Sequence, residues 1–131
     1  MQFLYLYVFS IPIFIALDLL WLGLIAKSFY TYWLENLRKP TNWIAAILFY
    51  IIFNLGLTFF ATMPAYTAGT VWYALVLGAL YGLFSYSTYD LTNQATVRGW
   101  PVLVTVVDII WGTVLGGGVA TFTYLVASAI L

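Results

Sequence analysis

Tyr89-Asp90-Leu91-Thr92-Asn93-Gln94-Ala95-Thr96-Val97-Arg98 is the most polar passage in a chain that is otherwise nearly all hydrocarbon. On a helix, Tyr86, Asp90 and Asn93 fall on one face at i, i+4 and i+7, and that face cannot be turned to lipid without cost. It needs polar partners inside a bundle. Two more aspartates, Asp18 and Asp108, lie within apolar runs, and each is followed three residues later by a tryptophan, Trp21 and Trp111. These groups are expected to meet in one place.

The composition sets the class. Of 131 residues, 65% are hydrophobic and only 6% charged, whereas soluble domains carry about 25% charged residues. The chain therefore reads as one membrane domain. Net charge is zero and there are 4 basic residues, so no basic face is available for nucleic acid. The sequence holds no cysteine and no histidine, which removes disulfides, thiol nucleophiles, imidazole catalysis and the usual zinc and haem ligands. No Asp-x-x-Asp arrangement or phosphate-binding loop supports a divalent ion. The sequence thus calls for no cofactor and no metal, and its chemistry rests on carboxylates, tyrosines, amides and hydroxyls.

Working outward, span one covers about 3–26, enough to cross roughly 30 Å of hydrocarbon at 1.5 Å per residue. It lacks a basic leader region and a small-residue cleavage site, so it reads as a retained span. In the segment 27–39, Phe29, Tyr30, Trp33, Leu34 and Leu37 form an apolar stripe opposite Lys27, Thr31, Glu35 and Arg38. That pattern predicts a short helix in the interface. Pro40, Thr41 and Asn42 break it and offer a cap for span two, about 43–62. A turn holding Pro64 and Gly69 leads to span three, about 70–93, and a tight loop holding Arg98 and Gly99 leads to span four, about 101–130. The expected fold is all-α: an integral membrane four-helix bundle with a short interfacial helix between spans one and two.

Lys27, Arg38 and Lys39 lie in the first connection and Arg98 in the third, while the second connection and both ends hold no Lys or Arg. The positive-inside rule then puts those connections in the cytoplasm and both termini outside, with a bacterial inner membrane as the simplest location. On these spans Asp18 and Asp108 lie about 12 Å deep, Asp90 and Asn93 shallower beside Arg98, and Asn54 near the midplane. The expected site is a polar funnel open to the cytoplasm and narrowing towards Asn54. Arg98 across the loop is expected to neutralise Asp90. Gly78 with Gly82, and Gly112, Gly116 and Ala120, are small-xxx-small sets that let backbones approach within the bundle or between two copies of a homodimer. Asp18-Leu19-Leu20-Trp21 echoes Asp108-Ile109-Ile110-Trp111, and the spacing places each carboxylate beside the indole of its own helix.

Leu17-Asp18-Leu19-Leu20-Trp21-Leu22-Gly23, Lys39-Pro40-Thr41-Asn42-Trp43, Tyr89-Asp90-Leu91-Thr92-Asn93-Gln94-Ala95-Thr96, Gly99-Trp100-Pro101 and Val107-Asp108-Ile109-Ile110-Trp111-Gly112 resemble a family of small bacterial membrane proteins catalogued as a domain of unknown function. The resemblance spans essentially the whole chain. It implies four membrane spans and supplies no reaction.

A carboxylate at the centre of a span costs on the order of 2.5–3.5 kcal/mol on insertion scales, and this chain places three of its four acids in or beside its spans. As structural groups, Asp18, Asp90 and Asp108 bond to amides, indoles and hydroxyls and hold the helices together. As a functional pocket, grouped carboxylates in low dielectric suit proton exchange near neutrality. The candidate ligand-binding residues are Asp18, Trp21, Asn54, Tyr86, Asp90, Asn93, Asp108 and Trp111; the same three aspartates are the catalytic candidates. Three functions follow: a proton-coupled transporter or binder of a small cationic or apolar molecule, an enzyme acting on a lipid or isoprenoid by aspartate acid/base chemistry, or an accessory membrane subunit. Membrane lipids, a proton and a small molecule are the expected partners, and the transporter reading is favoured.

Overall fold

A computed structural model describes residues 1–34 and 42–131. Helix α1 (Gln2–Leu20) runs on through a π-helical stretch, Trp21–Ile25, and the chain turns at Ala26 into α2 (Lys27–Leu34). Helix α3 (Trp43–Leu57) follows, then a π-helical stretch (Thr58–Thr62), α4 (Met63–Ala68), α5 (Val71–Thr96) and α6 (Val102–Ile130). Four apolar segments are long enough to cross a membrane, Gln2–Leu24, Trp43–Ala68, Val71–Thr96 and Val102–Ile130, and α2 is too short to be one. The protein is an all-α, four-span integral membrane protein. The part of the expected interfacial helix beyond Leu34 lies outside the described residues.

Local chemistry accounts for the ends. The Asn42 side chain accepts from the Ala45 backbone N–H at 3.2 Å, satisfying one of the first free donors of α3. The expected turn after residue 62 does not form there: the helix continues to Ala68 and ends at Gly69, whose φ of +72° suits glycine. Pro64 is tolerated because it lies in the first turn of α4, just after the π-helical stretch, where an N–H is not needed for a regular α-helical bond. Likewise α5 does not stop at Asn93 but extends to Thr96. A closed ring of hydrogen bonds then sets the α5–α6 turn. Gln94 donates to the Trp100 carbonyl at 2.8 Å, the Trp100 indole donates to Thr105 at 3.1 Å, and the Thr105 hydroxyl donates to Gln94 Oε1 at 2.8 Å.

In lipid, apolar burial between helices gains little, so association depends on close packing and polar contacts. Helices α5 and α6 pack along their length. A Cβ added at Gly82 would overlap the Gly112 carbonyl, and one added at Gly116 would overlap the Gly78 carbonyl. The small residues of the two helices thus serve contact within one chain. Helix α6 also packs on α1, and α1 on α3, around Phe14, Phe53, Leu57, Leu115 and Val119. Helix α5 approaches the second span through the Thr58–Thr62 stretch and α4. Near the midplane Tyr81 covers Gly56 and donates to the Phe53 carbonyl at 3.1 Å. The first half of α3 diverges from α5, so the bundle is closed at one end and open at the other.

Gly82→Ala is expected to lose about 1–3 kcal/mol, the usual range for overpacking, in reversible unfolding from detergent into dodecyl sulfate. Gly23→Ala, where an added Cβ meets nothing within 4 Å, is expected to stay within about 0.5 kcal/mol of the parent or gain slightly. Equal losses in both variants would contradict the packing described.

Candidate functional site

The ring formed by Gln94, Trp100 and Thr105 fixes the register of α5 on α6, and with it the depth of the acids. Asp18, Asp90 and Asp108 each stand six residues from the same end of their spans, about 9 Å at 1.5 Å per residue. Asp90 is therefore not the shallow member. Because α5 runs three residues further than the pattern suggested, its carboxyl comes level with the others, within hydrogen-bonding reach of Asp108.

Asp90 is fully buried, and among the described residues neither of its oxygens receives a hydrogen bond from a donor. Its near neighbour is another carboxyl, which donates only when it carries a proton. Arg98 does not answer it: that side chain is exposed and makes no ion pair with Asp90. The α5 helix ends between them, at Thr96. Among the described residues, no lysine or arginine pairs with any of the three aspartates.

The two Asp-x-x-Trp segments are joined crosswise. The Trp111 indole N–H donates to Asp18 Oδ1 on the other helix at 3.4 Å. The Trp21 indole N–H donates at 3.4 Å to the hydroxyl of Tyr30, which in turn donates to Asp108 Oδ1. The two indoles stack, with ring centroids 4.6 Å apart and planes 7° from parallel. Each carboxylate is thus held by the opposite helix's tryptophan, directly or through Tyr30, not by that of its own helix. The reason is direction: α1 and α6 cross with Trp21 and Trp111 between them, so each ring edge points at its neighbour's acid.

Tyr30 was not among the residues singled out by pattern. Its one signal in the sequence was a hydroxyl on the apolar stripe of the interfacial helix. Folding α2 back over the end of the bundle brings that hydroxyl to Asp108. Burial, the hydrogen bond to Asp108 and the charge of that carboxylate hold the phenol well above its ordinary range, so it stays a donor.

Tyr86 is brought to the acids. Its ring lies on Gly112, where any Cβ would overlap it, and its hydroxyl is within electrostatic reach of Asp18, Asp108, Tyr30 and Asp90. Asn93 is not: it lies beside the hydroxyl of exposed Tyr89, one turn earlier on α5, and Tyr89 packs edge-on against Trp100. Asn54 lies five residues deeper than the acids, on the second span. It is fully buried, and its amide donates to the Tyr50 carbonyl of its own helix at 2.8 Å. No hydrogen bond joins Asn54 to an aspartate.

The open end of the bundle holds a cleft of about 520 Å³ between α3 and α5, lined by Ala45, Ala46, Phe49, Ser85, Tyr86 and Tyr89. The expected funnel narrowing towards Asn54 is not what this lining forms: among the described residues the cleft lies between α3 and α5, and Asn54 is not part of it. Tyr86 is the wall between this apolar cleft and the acids. Among the described residues no three acidic groups converge as metal ligands do.

A family described as "Predicted membrane protein (DUF2177)" matches residues 3–125 of the chain. No curated protein and no solved structure matches it.

Tyr30→Phe removes the donor to Asp108 and the acceptor of the Trp21 indole, and is expected to cost about 1–3 kcal/mol near neutral pH. A phenol held protonated above its ordinary value of about 10 adds stability that is complete below that pH and lost as pH rises past it. The parent should therefore weaken on raising the pH above about 10, and Tyr30→Phe should weaken less. Tryptophan fluorescence during unfolding, followed against pH, checks both; identical alkaline limbs would exclude the bond.

Proposed function

The chain belongs to the DUF2177 family of membrane proteins, and from that premise we propose that it binds and carries a lipophilic organic cation in exchange for protons. The observation that carries the reading is Asp90: a buried carboxyl with no donor, set against a second carboxyl, in a three-acid group to which no described base is paired. Such a group is stable in low dielectric only when protons or a cationic ligand reduce its charge. Proton and cation then compete for one site, which is the elementary requirement of exchange. Trp111, Tyr30 and, through it, Trp21 position Asp18 and Asp108 and leave Asp90 free to respond.

The cleft supports the lipophilic half of the reading. A ligand dissolved in the membrane enters between α3 and α5 without crossing the headgroups, rests against Ala45, Ala46 and Phe49, and meets the acids by displacing the Tyr86 ring. In this reading the end that carries Lys27 and Arg98 faces the cytoplasm, as the positive-inside rule favours, and both termini lie outside a bacterial inner membrane. In this reading two copies act together, since four spans enclose little room for alternating access. The lateral opening also favours a second reading, an enzyme that takes a lipid or isoprenoid from the bilayer, with one of Asp90 and Asp108 as general acid and the other as base.

Tetraphenylphosphonium, whose charge is permanent, is expected to bind the detergent-purified protein and to be displaced on acidification, because protons and the cation compete for the same carboxylates. Asp90→Asn and Asp108→Asn should each weaken it about 10–100-fold, with Thr113→Val unchanged. Quenching of tryptophan fluorescence reads the affinity. Binding that ignores both pH and the aspartates would reject the cation site.

A further inference from the structure

One face of the second span carries a feature that the acid site does not use. Tyr50, Asn54, Thr58, Thr62 and Tyr66 recur at every fourth residue. Asn54, Thr58 and Thr62 are fully buried, and Tyr50 and Tyr66 are half-buried at either end of the row. In a regular α-helix a four-residue step drifts about 40° around the axis. The wider π-helical turn at Thr58–Thr62 turns that drift back, so the row stays on the inner face.

The bonds within this row are incomplete. Thr58 donates to the Asn54 carbonyl at 2.8 Å, a common arrangement for a threonine in a membrane helix. Among the described residues, in contrast, Asn54 Oδ1 and Thr62 Oγ1 have no partner, and neither has Thr123 Oγ1 on α6, the helix that packs against Thr58–Thr62. Thr62 and Thr123 lie six and seven residues from the far ends of their spans, so they are at one level. Ser10 of α1, also fully buried, lies roughly level with Thr58. Each buried polar atom without a partner costs about 1–3 kcal/mol, and valine would fill the same space as threonine without that cost. A packing role does not account for them.

At about 1.5 Å per residue, Tyr50 lies about 10 Å into its span, level with the acids, and Asn54, Thr58 and Thr62 follow at steps of about 6 Å. Asp18 is within electrostatic reach of Tyr50. A rise of about 6 Å between successive members is a length that one water molecule bonded to both can span, and a buried water typically makes about 3 hydrogen bonds to such groups.

We propose that the row Tyr50–Asn54–Thr58–Thr62–Tyr66, with Ser10 and Thr123 facing it, is a proton path joining the acid site to the opposite face of the membrane. It rests on the reading of Asp18, Asp90 and Asp108 as a proton-exchanging site and adds the second access that exchange across a membrane requires. Ligand enters sideways at the acid end; protons arrive through the closed end. Along the row each hydroxyl or bridging water receives one proton and passes on another, so only O–H bonds are exchanged and no charge stays behind. Asn54 Oδ1 only accepts, and it holds a bridging water in line. The titratable groups facing the path are Asp18, Asp90 and Asp108, with Tyr30 from α2, Tyr86 and Tyr81 from α5, and Tyr124 of α6, edge-on to Tyr66. No lysine, arginine or glutamate among the described residues faces it.

Proteoliposomes containing a pH-sensitive dye, with a potassium diffusion potential set by valinomycin, test the path in the full chain. With tetraphenylphosphonium enclosed, whose exit the exchange couples to proton entry, the parent should take up protons faster than protein-free vesicles, and Thr62→Val and Asn54→Leu should slow the flux at least tenfold. Thr62→Ser should restore it, and Thr121→Val, which removes a partnerless hydroxyl two residues out of line from Thr123, should leave it unchanged. Thr62→Val keeps side-chain volume, so its unfolding in dodecyl sulfate should match or exceed the parent's. A parent no faster than empty vesicles, or a Thr62→Val that conducts like the parent, overturns the path. Tetraphenylphosphonium binding on the same preparations separates the two readings. Binding without flux rejects the path and leaves the acid site; flux lost in Thr62→Val without any cation binding leaves the path and rejects the ligand.

Discussion

The contact of α5 with α6 at Gly78, Gly82, Gly112 and Gly116 is the constraint on which the rest of the structure depends. Because the two backbones touch, Tyr86 can lie flat on Gly112 and Asp90 can reach Asp108. A side chain at any of these glycines would separate the helices by more than a hydrogen bond tolerates. The acid pair is therefore a consequence of packing between residues that carry no functional groups. The ring of Gln94, Trp100 and Thr105 completes the constraint by fixing the register at the turn.

From that contact follows an electrostatic asymmetry. Asp18 and Asp108 are each held by a donor, Trp111 and Tyr30, while Asp90 is held by none. The stacked indoles tie Asp18 and Asp108 together, since moving either tryptophan disturbs both. A rigid pair beside a free carboxyl differs from a set of structural hydrogen bonds, in which every member would be satisfied. The divergence of α3 from α5 adds access, so the least satisfied group lies behind one aromatic ring from the lipid phase.

Much of this was legible in the residues. The spans, the Asn42 cap and the inward face of Tyr86 and Asp90 follow from apolar length and helical spacing, which are local properties. The equal depth of Asp18 and Asp108 was legible for the same reason. The depth of Asp90 was not, because a three-residue error in where a polar helix ends moves a side chain by about 4.5 Å. Asn93 shared a face with Asp90 by spacing, yet it lies beside Tyr89, one turn earlier on its own helix.

By itself the sequence determined that this is a four-span, all-α membrane protein with acids that must be answered inside it, since hydrocarbon length and the cost of charge in lipid leave no other arrangement. Only the tertiary structure decided which groups answer them. The crosswise pairing of Asp18 with Trp111 and of Asp108 with Tyr30 depends on how two helices cross, and on a short helix folding back over their ends. The sideways cleft depends on one helix leaning from another. Those are distances between segments far apart in the chain, and no periodicity within a segment encodes them.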